Sequence, residues 1–115
     1  MSPEPKPEVW TEERCYVTEI LNDGNWPEVS IARCRVTSGV TTQRHALAVH
    51  EVYLIERGSG LVRVGDEAPR EVTPGATVSI PKHVPQCITN TGREDLVFTC
   101  VCTPKFSQDC YTSLE

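Results

Sequence analysis

The stretch GVTTQRHALAVHEVYLIERG, residues 39–58, decides the fold because its glycines and polar residues have a fixed spacing. Gly39 is followed, after five residues, by His45, and Glu51 and Gly58 complete the pattern. Side chains of equal parity lie on one face of a β-strand. The stretch therefore predicts that the imidazole and the carboxylate converge on one interior, provided that register holds across the short connection between them.

A second stretch, GATVSIPKHVPQCITN, residues 75–90, has a related spacing. Gly75 is followed after five residues by Pro81, and Asn90 closes the pattern four residues after Gln86. Glycine, proline and asparagine are turn residues. These three positions therefore report on backbone geometry, and Gln86 is the residue of this stretch that could carry chemistry.

Together the two stretches resemble the double motif of the cupin superfamily, over about residues 15–104. The resemblance implies an all-β fold, an antiparallel double-stranded β-helix or jelly-roll barrel. The chain is most similar to the small single-domain bacterial "cupin 2 conserved barrel" type, often labelled mannose-6-phosphate-isomerase-like. Family members generally pair as dimers, so the resemblance also implies a homodimer. Fold does not determine the reaction.

The usual double motif has two further histidines, at the places where this chain has Leu47 and Gln86. The resemblance therefore implies a divalent-metal site formed by His45, Glu51 and Gln86. An imidazole, a carboxylate and a neutral amide oxygen favour Mn, Fe(II), Ni or Zn. Leu47 leaves coordination positions open to water or substrate.

With such a metal, the residues support Lewis-acid chemistry on a small oxygenated metabolite, of the isomerase, epimerase, lyase or cyclase type. Glu51 or a metal-bound hydroxide is the candidate proton acceptor. His83 replaces a glycine of the second motif, in a loop expected at the barrel mouth, and is a candidate acid or base; the alternative is a solvated loop histidine. Arg44 and Arg63 are candidate orienting groups.

Other interpretations remain open at this stage. In a metal-free binding or sensing protein, His45, Glu51 and Gln86 would grip a small-molecule ligand by hydrogen bonds, with the amide contacting both other residues. A metal-dependent dioxygenase is less favoured, because one imidazole of its usual pair is missing. Tyr53 is expected to pack in the barrel with its hydroxyl at the rim.

Composition limits the partners. The chain has 115 residues and a formal net charge of −5 at pH 7. Its basic residues are scattered, so no nucleic-acid partner is expected. No apolar run reaches the roughly 20 residues of a membrane-spanning helix, and residues 1–8 lack the apolar core of a signal peptide. We therefore expect no membrane partner and a cytoplasmic location.

Turn signals every eight to twelve residues predict an antiparallel barrel closed by eight strands. Residues 1–12 are expected to be a flexible proline-rich segment, 13–104 the barrel and 105–115 a C-terminal tail with a weak helical signal. Six cysteines in a reducing compartment are expected to be free and mostly buried. The predicted strands are 15–21, 28–37, 41–47, 51–56, 60–64, 69–73, 77–80, 86–90 and 95–103.

Overall fold

Antiparallel strands account for nearly all the regular structure in the computed structural model, which describes residues 6–115. Within this range there are eleven strands and one short 3-10 helix, Gln108–Cys110. The strands are β1 Val9–Trp10, β2 Tyr16–Leu21, β3 Ser30–Val36, β4 His45–Leu47, β5 His50–Arg57, β6 Gly60–Val64, β7 Arg70–Val72, β8 Thr77–Ile80, β9 Gln86–Asn90, β10 Leu96–Thr103 and β11 Tyr111–Ser113.

The strands form two sheets. The first has six strands in the order β1-β2-β3-β10-β5-β8, and the second has five in the order β11-β4-β9-β6-β7. Consecutive strands often lie in different sheets, so the connections pass repeatedly from one sheet to the other. The predicted all-β jelly-roll barrel is confirmed, although each sheet has more strands than an eight-stranded closure provides.

The main core lies between the sheets and draws on both of them. Alternation explains which residues enter it: Val62 and Val64 of β6 are buried whereas Arg63 between them is exposed. A second, smaller cluster contains Leu47, Val49, Cys102 and Cys110. Leu47 is thus a packing residue at the place where the usual motif has a histidine.

The strand boundaries agree closely with the predicted ones, and the largest difference is at β4. A strand was predicted over residues 41–47, but only His45–Leu47 are regular. Thr41 makes an isolated bridge to Thr89. The hydroxyl of Thr42 accepts a hydrogen bond from the Ile88 N–H, which replaces a regular strand pairing there.

Both ends of the chain differ from the predicted division. Val9–Trp10 pair with β2 although they belong to the predicted flexible segment; residues 1–5 of that segment lie outside the described residues. Tyr111–Ser113 of the predicted tail pair with β4. Strands of two and three residues are too short to show an alternation of apolar and polar residues in the sequence. Their hydrogen bonds to the edge of a sheet are what make them strands.

All six cysteines lie in the described range and are buried free thiols, as predicted. Two of them lie on the adjacent strands β3 and β10, with 3.4 Å between the Sγ atoms of Cys34 and Cys100. In residues 6–115 no helix has the length and apolar character needed to cross a bilayer.

Candidate functional site

A cavity of about 430 Å³ opens into the barrel. This volume falls in the range of about 300–1,000 Å³ that is usual for small-molecule sites. The buried residues His45, Glu51 and Tyr53 belong to its lining. Two further segments, one around Thr11 and one around Phe106, also line it. The cavity is therefore the place where the predicted site residues can meet a ligand.

Two sheets bring the predicted residues together. His45 begins β4 and Gln86 begins β9, and the two are Cα partners in the five-stranded sheet. Glu51 is the second residue of β5 in the six-stranded sheet. All three are buried, with 2% of His45, 7% of Glu51 and 1% of Gln86 exposed. His45 and Glu51 line the cavity, whereas Gln86 is not part of its lining.

Glu51 and Gln86 are joined in a buried hydrogen-bond network between the sheets. The Gln86 amide Nε2 donates to Glu51 Oε1 at 2.8 Å, and the Tyr53 hydroxyl donates to Gln86 Oε1. The Cys102 thiol lies 3.6 Å from Glu51 Oε2 as a further donor. Both carboxylate oxygens and both ends of the amide are therefore engaged within the protein.

The network corrects two predictions. Tyr53 was expected to place its hydroxyl at the rim, but the residue is buried, and its ring lies 4.5 Å from that of Phe98. Packing against Phe98 directs the hydroxyl inward to the amide. Gln86 was expected to contact both His45 and Glu51 in the metal-free interpretation, but the second partner is Tyr53.

The His45 ring is held in one orientation by its neighbours. Its Nδ1 lies 2.7 Å from the Gln43 carbonyl oxygen. Because a carbonyl can only accept, Nδ1 carries the proton and Nε2 of the neutral ring has a free lone pair. The ring stacks on Tyr111, with 4.8 Å between centroids, and the Tyr111 hydroxyl donates to Gln43 Oε1.

Nε2 of His45 has no hydrogen-bond partner among residues 6–115. In that range every side-chain nitrogen or oxygen atom that is closed to solvent does have a partner. Nε2 is therefore reachable from outside, and the cavity that His45 lines is the route. A buried imidazole thus presents an unpaired acceptor to the cavity.

Burial governs the ionisation of the carboxyl groups. It raises the pKa of Glu51 to about 6, and the hydrogen bond from Gln86 opposes that rise. Burial also raises the pKa of Glu13. Glu13 lines the same cavity. Sequence reasoning missed Glu13, because it precedes the first predicted strand and belongs to no motif.

His83 lies outside this cavity. It is exposed, adopts a left-handed backbone with φ of 68°, and donates its N–H to the Leu47 carbonyl at 2.6 Å. The positive φ explains why the family pattern has glycine here, and histidine tolerates such a conformation better than most residues. Arg44 and Arg63 are likewise absent from the cavity lining. The predicted acid or base role of His83 gains no support from this placement.

The residues do not fit the three-ligand metal centre that the resemblance implied. Gln86 could offer only its amide oxygen, which accepts from Tyr53, while its nitrogen points to Glu51. In residues 6–115 no further His, Cys, Asp or Glu side chain completes a group of three with His45 and Glu51 that could hold a metal ion in place of Gln86. Of the three predicted ligands, two line the cavity: His45 with one imidazole nitrogen, and Glu51 with a carboxylate that already accepts from two donors.

The family model described as "Cupin domain" matches residues 32–102. A cupin-like protein from Thermotoga maritima is similar in structure, with 18% identity, TM-score 0.80, and coverage of 96% of this chain and 86% of that one. A Cupin 2 conserved barrel domain protein from Salinispora arenicola has 17% identity, TM-score 0.76, and coverage of 90% and 88%. Oxalate decarboxylase from Bacillus subtilis has 19% identity and TM-score 0.80, covering 96% of this chain but 30% of the enzyme.

No curated protein matches the sequence. The likeness to solved structures, at these identities, concerns the fold alone. The family model is different, because it spans well over half of the chain and includes both motifs. On that match, this protein belongs to the cupin family.

Proposed function

We propose that this protein is a small-molecule-binding cupin, which holds one small hydrogen-bond-donating ligand in the barrel cavity without a metal centre built from His45, Glu51 and Gln86. The observation that carries the proposal is the unpaired Nε2 lone pair of His45, directed into a cavity large enough for a ligand. A ligand O–H or N–H is its natural partner.

The energetics favour a ligand at this point. Because Nε2 is open to solvent through the cavity, a ligand donor takes the place of water there, and such a hydrogen bond has a net value of about 0.5–1.5 kcal/mol. The wall beside it is preorganised, because Tyr111 and Gln43 hold the imidazole and Gln86 holds Glu51. Little ordering of the protein is then needed on binding.

If the ligand is also a substrate, Glu51 is the group suited to move a proton. Its pKa of about 6 lies close to neutral pH, so the carboxyl group can both accept and donate a proton. Gln86 holds one oxygen of that carboxyl. Proton-transfer chemistry of the isomerase type is therefore compatible with the cavity, and binding is the common requirement.

A second candidate is the metal-dependent Lewis-acid enzyme. It is favoured by one observation, namely that His45 Nε2 and the Glu51 carboxylate belong to the same cavity. It requires the Gln86 oxygen to leave the Tyr53 hydroxyl. Solved barrels of this fold include an oxalate decarboxylase and a protein named as a DMSP lyase, so enzymes occur on this architecture.

The two candidates are separated by titrating the purified protein with Mn, Fe(II), Ni and Zn, and separately with a library of small polyols, amines and sugars, following the melting temperature. We expect saturable shifts with library compounds and none with metals. His45→Gln should abolish the ligand shifts, whereas His50→Gln, an exposed histidine, should leave them intact. A stoichiometric divalent ion retained through dialysis would favour the enzyme instead.

A further inference from the structure

Carboxylates line the cavity from its mouth to its inner wall. Glu12 and Glu19 are exposed, Glu13 is partly buried and Glu51 is buried, and all four belong to the lining. In the described part of the chain, no lysine or arginine belongs to it. The potential inside the cavity is therefore negative.

Arg14 and Arg35 form ion pairs outside the cavity. Arg14 pairs with both carboxylate oxygens of Glu115, at 2.9 and 2.7 Å. Arg35 bonds to Glu8 and Asp95. Neither guanidinium belongs to the cavity lining, so neither supplies a counter-ion to Glu13 or Glu51 there.

A second observation, independent of the carboxylates, also points to a donor ligand. Nε2 of the buried His45 is an unpaired acceptor on the same wall. Several donors of the lining are already used within the protein: the Thr11 hydroxyl bonds to Cys15 O, and the Asn22 amide bonds to Phe106 O, both at 2.9 Å. The wall therefore presents mainly acceptors.

The rest of the lining is apolar. Val17, Leu21, Ile31 and Phe106 contribute hydrocarbon, and the buried thiols of Cys34 and Cys100 add soft apolar surface. A ligand that fills the cavity must therefore present hydrogen-bond donors to the acceptors of the wall and an apolar surface to its hydrocarbon side chains.

We infer that the cavity selects a small compound with a protonated amine attached to an apolar body, the ammonium lying between Glu13 and Glu51 and donating to His45. This inference rests on the proposed ligand-binding function and names its ligand class. An ammonium group has several N–H donors and no acceptor, and its charge offsets that of the carboxylates. A phosphorylated or carboxylated compound would bring like charge into the cavity, which costs free energy.

The test uses three probes of one size: benzylamine, benzyl alcohol and benzoate. Binding is followed by amide and imidazole chemical shifts in NMR titrations, so that the site is identified as well as the affinity. We expect benzylamine to bind tightest, benzyl alcohol more weakly, and benzoate not at all.

Variants isolate the charge. Glu13→Gln keeps the side-chain shape and should weaken benzylamine binding about tenfold, the size expected when a charged hydrogen bond is lost, while benzyl alcohol changes little. Glu19→Gln, at the exposed mouth, gives a smaller loss in the same direction and guards against misfolding of the first variant. Glu71→Gln on β7, exposed and outside the lining, is the matched control and should have no effect.

The outcomes separate the two proposals. Benzyl alcohol or benzoate binding at the cavity as tightly as benzylamine would overturn the amine preference and leave the binding function standing. An unchanged benzylamine affinity in both Glu13→Gln and Glu19→Gln would also overturn it. If none of the three probes shifts the resonances of the cavity residues, the proposed function fails together with the inference.

Discussion

At the residue scale, the amide at position 86 changes what the barrel interior can do. An imidazole there would donate from one ring nitrogen and accept at the other, whereas the amide has an oxygen acceptor and an NH2 donor on the same carbon. Gln86 uses both capacities, toward Glu51 and Tyr53. It thereby connects β9 of one sheet to β5 of the other and turns the predicted ligand set into a hydrogen-bond network.

The network should be worth a measurable part of the stability. Gln86→Leu would leave Oε1 of Glu51 and the Tyr53 hydroxyl without partners, and we expect a loss of about 2–4 kcal/mol in the free energy of unfolding. Tyr53→Phe removes one bond and should cost about 1 kcal/mol. Gln108→Leu, an exposed position, serves as the control. Urea denaturation measures all three, and a near-neutral Gln86→Leu would contradict the network's role.

Glu51 also predicts a pH dependence of stability. Its pKa rises from 4.5 to about 6 on folding, so between these values the folded state binds more protons than the unfolded state. Stability from this group is therefore complete below about pH 4.5 and falls as the pH rises through 6, by on the order of 2 kcal/mol in all.

Glu51→Gln should flatten that part of the pH profile and stabilise the protein slightly at pH 7, because no charge has to be desolvated on folding at this position. Glu13 contributes a slope of the same sign, so part of the dependence persists in this variant. Chemical denaturation at a series of pH values measures the effect, with Glu71→Gln as the control. A profile as steep as that of the wild type would refute the assignment to Glu51.

At the element scale, a strand that the sequence did not predict supports the candidate site. β11 pairs with β4, matching Tyr111 with Leu47 and Ser113 with His45. The end of the chain therefore supports the strand that carries the imidazole, and Tyr111 stacks on that ring. The segment expected to be a tail is a positioning element of the cavity.

Tyr111→Ala should loosen the imidazole. We expect a loss of about 2 kcal/mol in stability from the removed ring contact and a change in the chemical shifts of the His45 ring protons, which NMR spectra of the variant measure. Tyr111→Phe keeps the stacking and should cost only about 1 kcal/mol, the value of the hydroxyl bond to Gln43. Equal effects of the two variants on the chemical shifts of the His45 ring would show that stacking does not position the ring.

At the scale of the whole molecule, the homodimer implied by the cupin resemblance stays a prediction. β1 is the outer strand of the six-stranded sheet, and an edge strand presents unpaired backbone groups to a partner. Val9 and Trp10 of this strand are each 54% exposed. This edge is therefore where we expect a second copy to add.

Sedimentation velocity at micromolar concentrations tests that expectation. The wild type should sediment as a dimer, and Trp10→Glu should shift it toward the monomer, because a charge at an apolar contact is costly to desolvate. Trp26 is equally exposed, at 54%, but lies in a loop, so Trp26→Glu is the matched control. A monomeric wild type, or equal effects of the two variants, would exclude β1 as the dimer edge.

Turn residues and alternation in the sequence predicted an antiparallel barrel, most of its strand boundaries, and the inward face of His45 and Glu51, because they act over a few neighbouring positions. The cupin resemblance supplied the jelly-roll topology and the place of Gln86 beside them. Only the tertiary structure decided that Gln86 pairs with Tyr53, that Glu13 joins the cavity, and that β1 and β11 complete the sheets. Alternation tells which face a side chain takes, but not which atom it meets. Tyr53 and Gln86, for example, lie 33 residues apart in the sequence. The register of the strands in two packed sheets sets the distance between such partners.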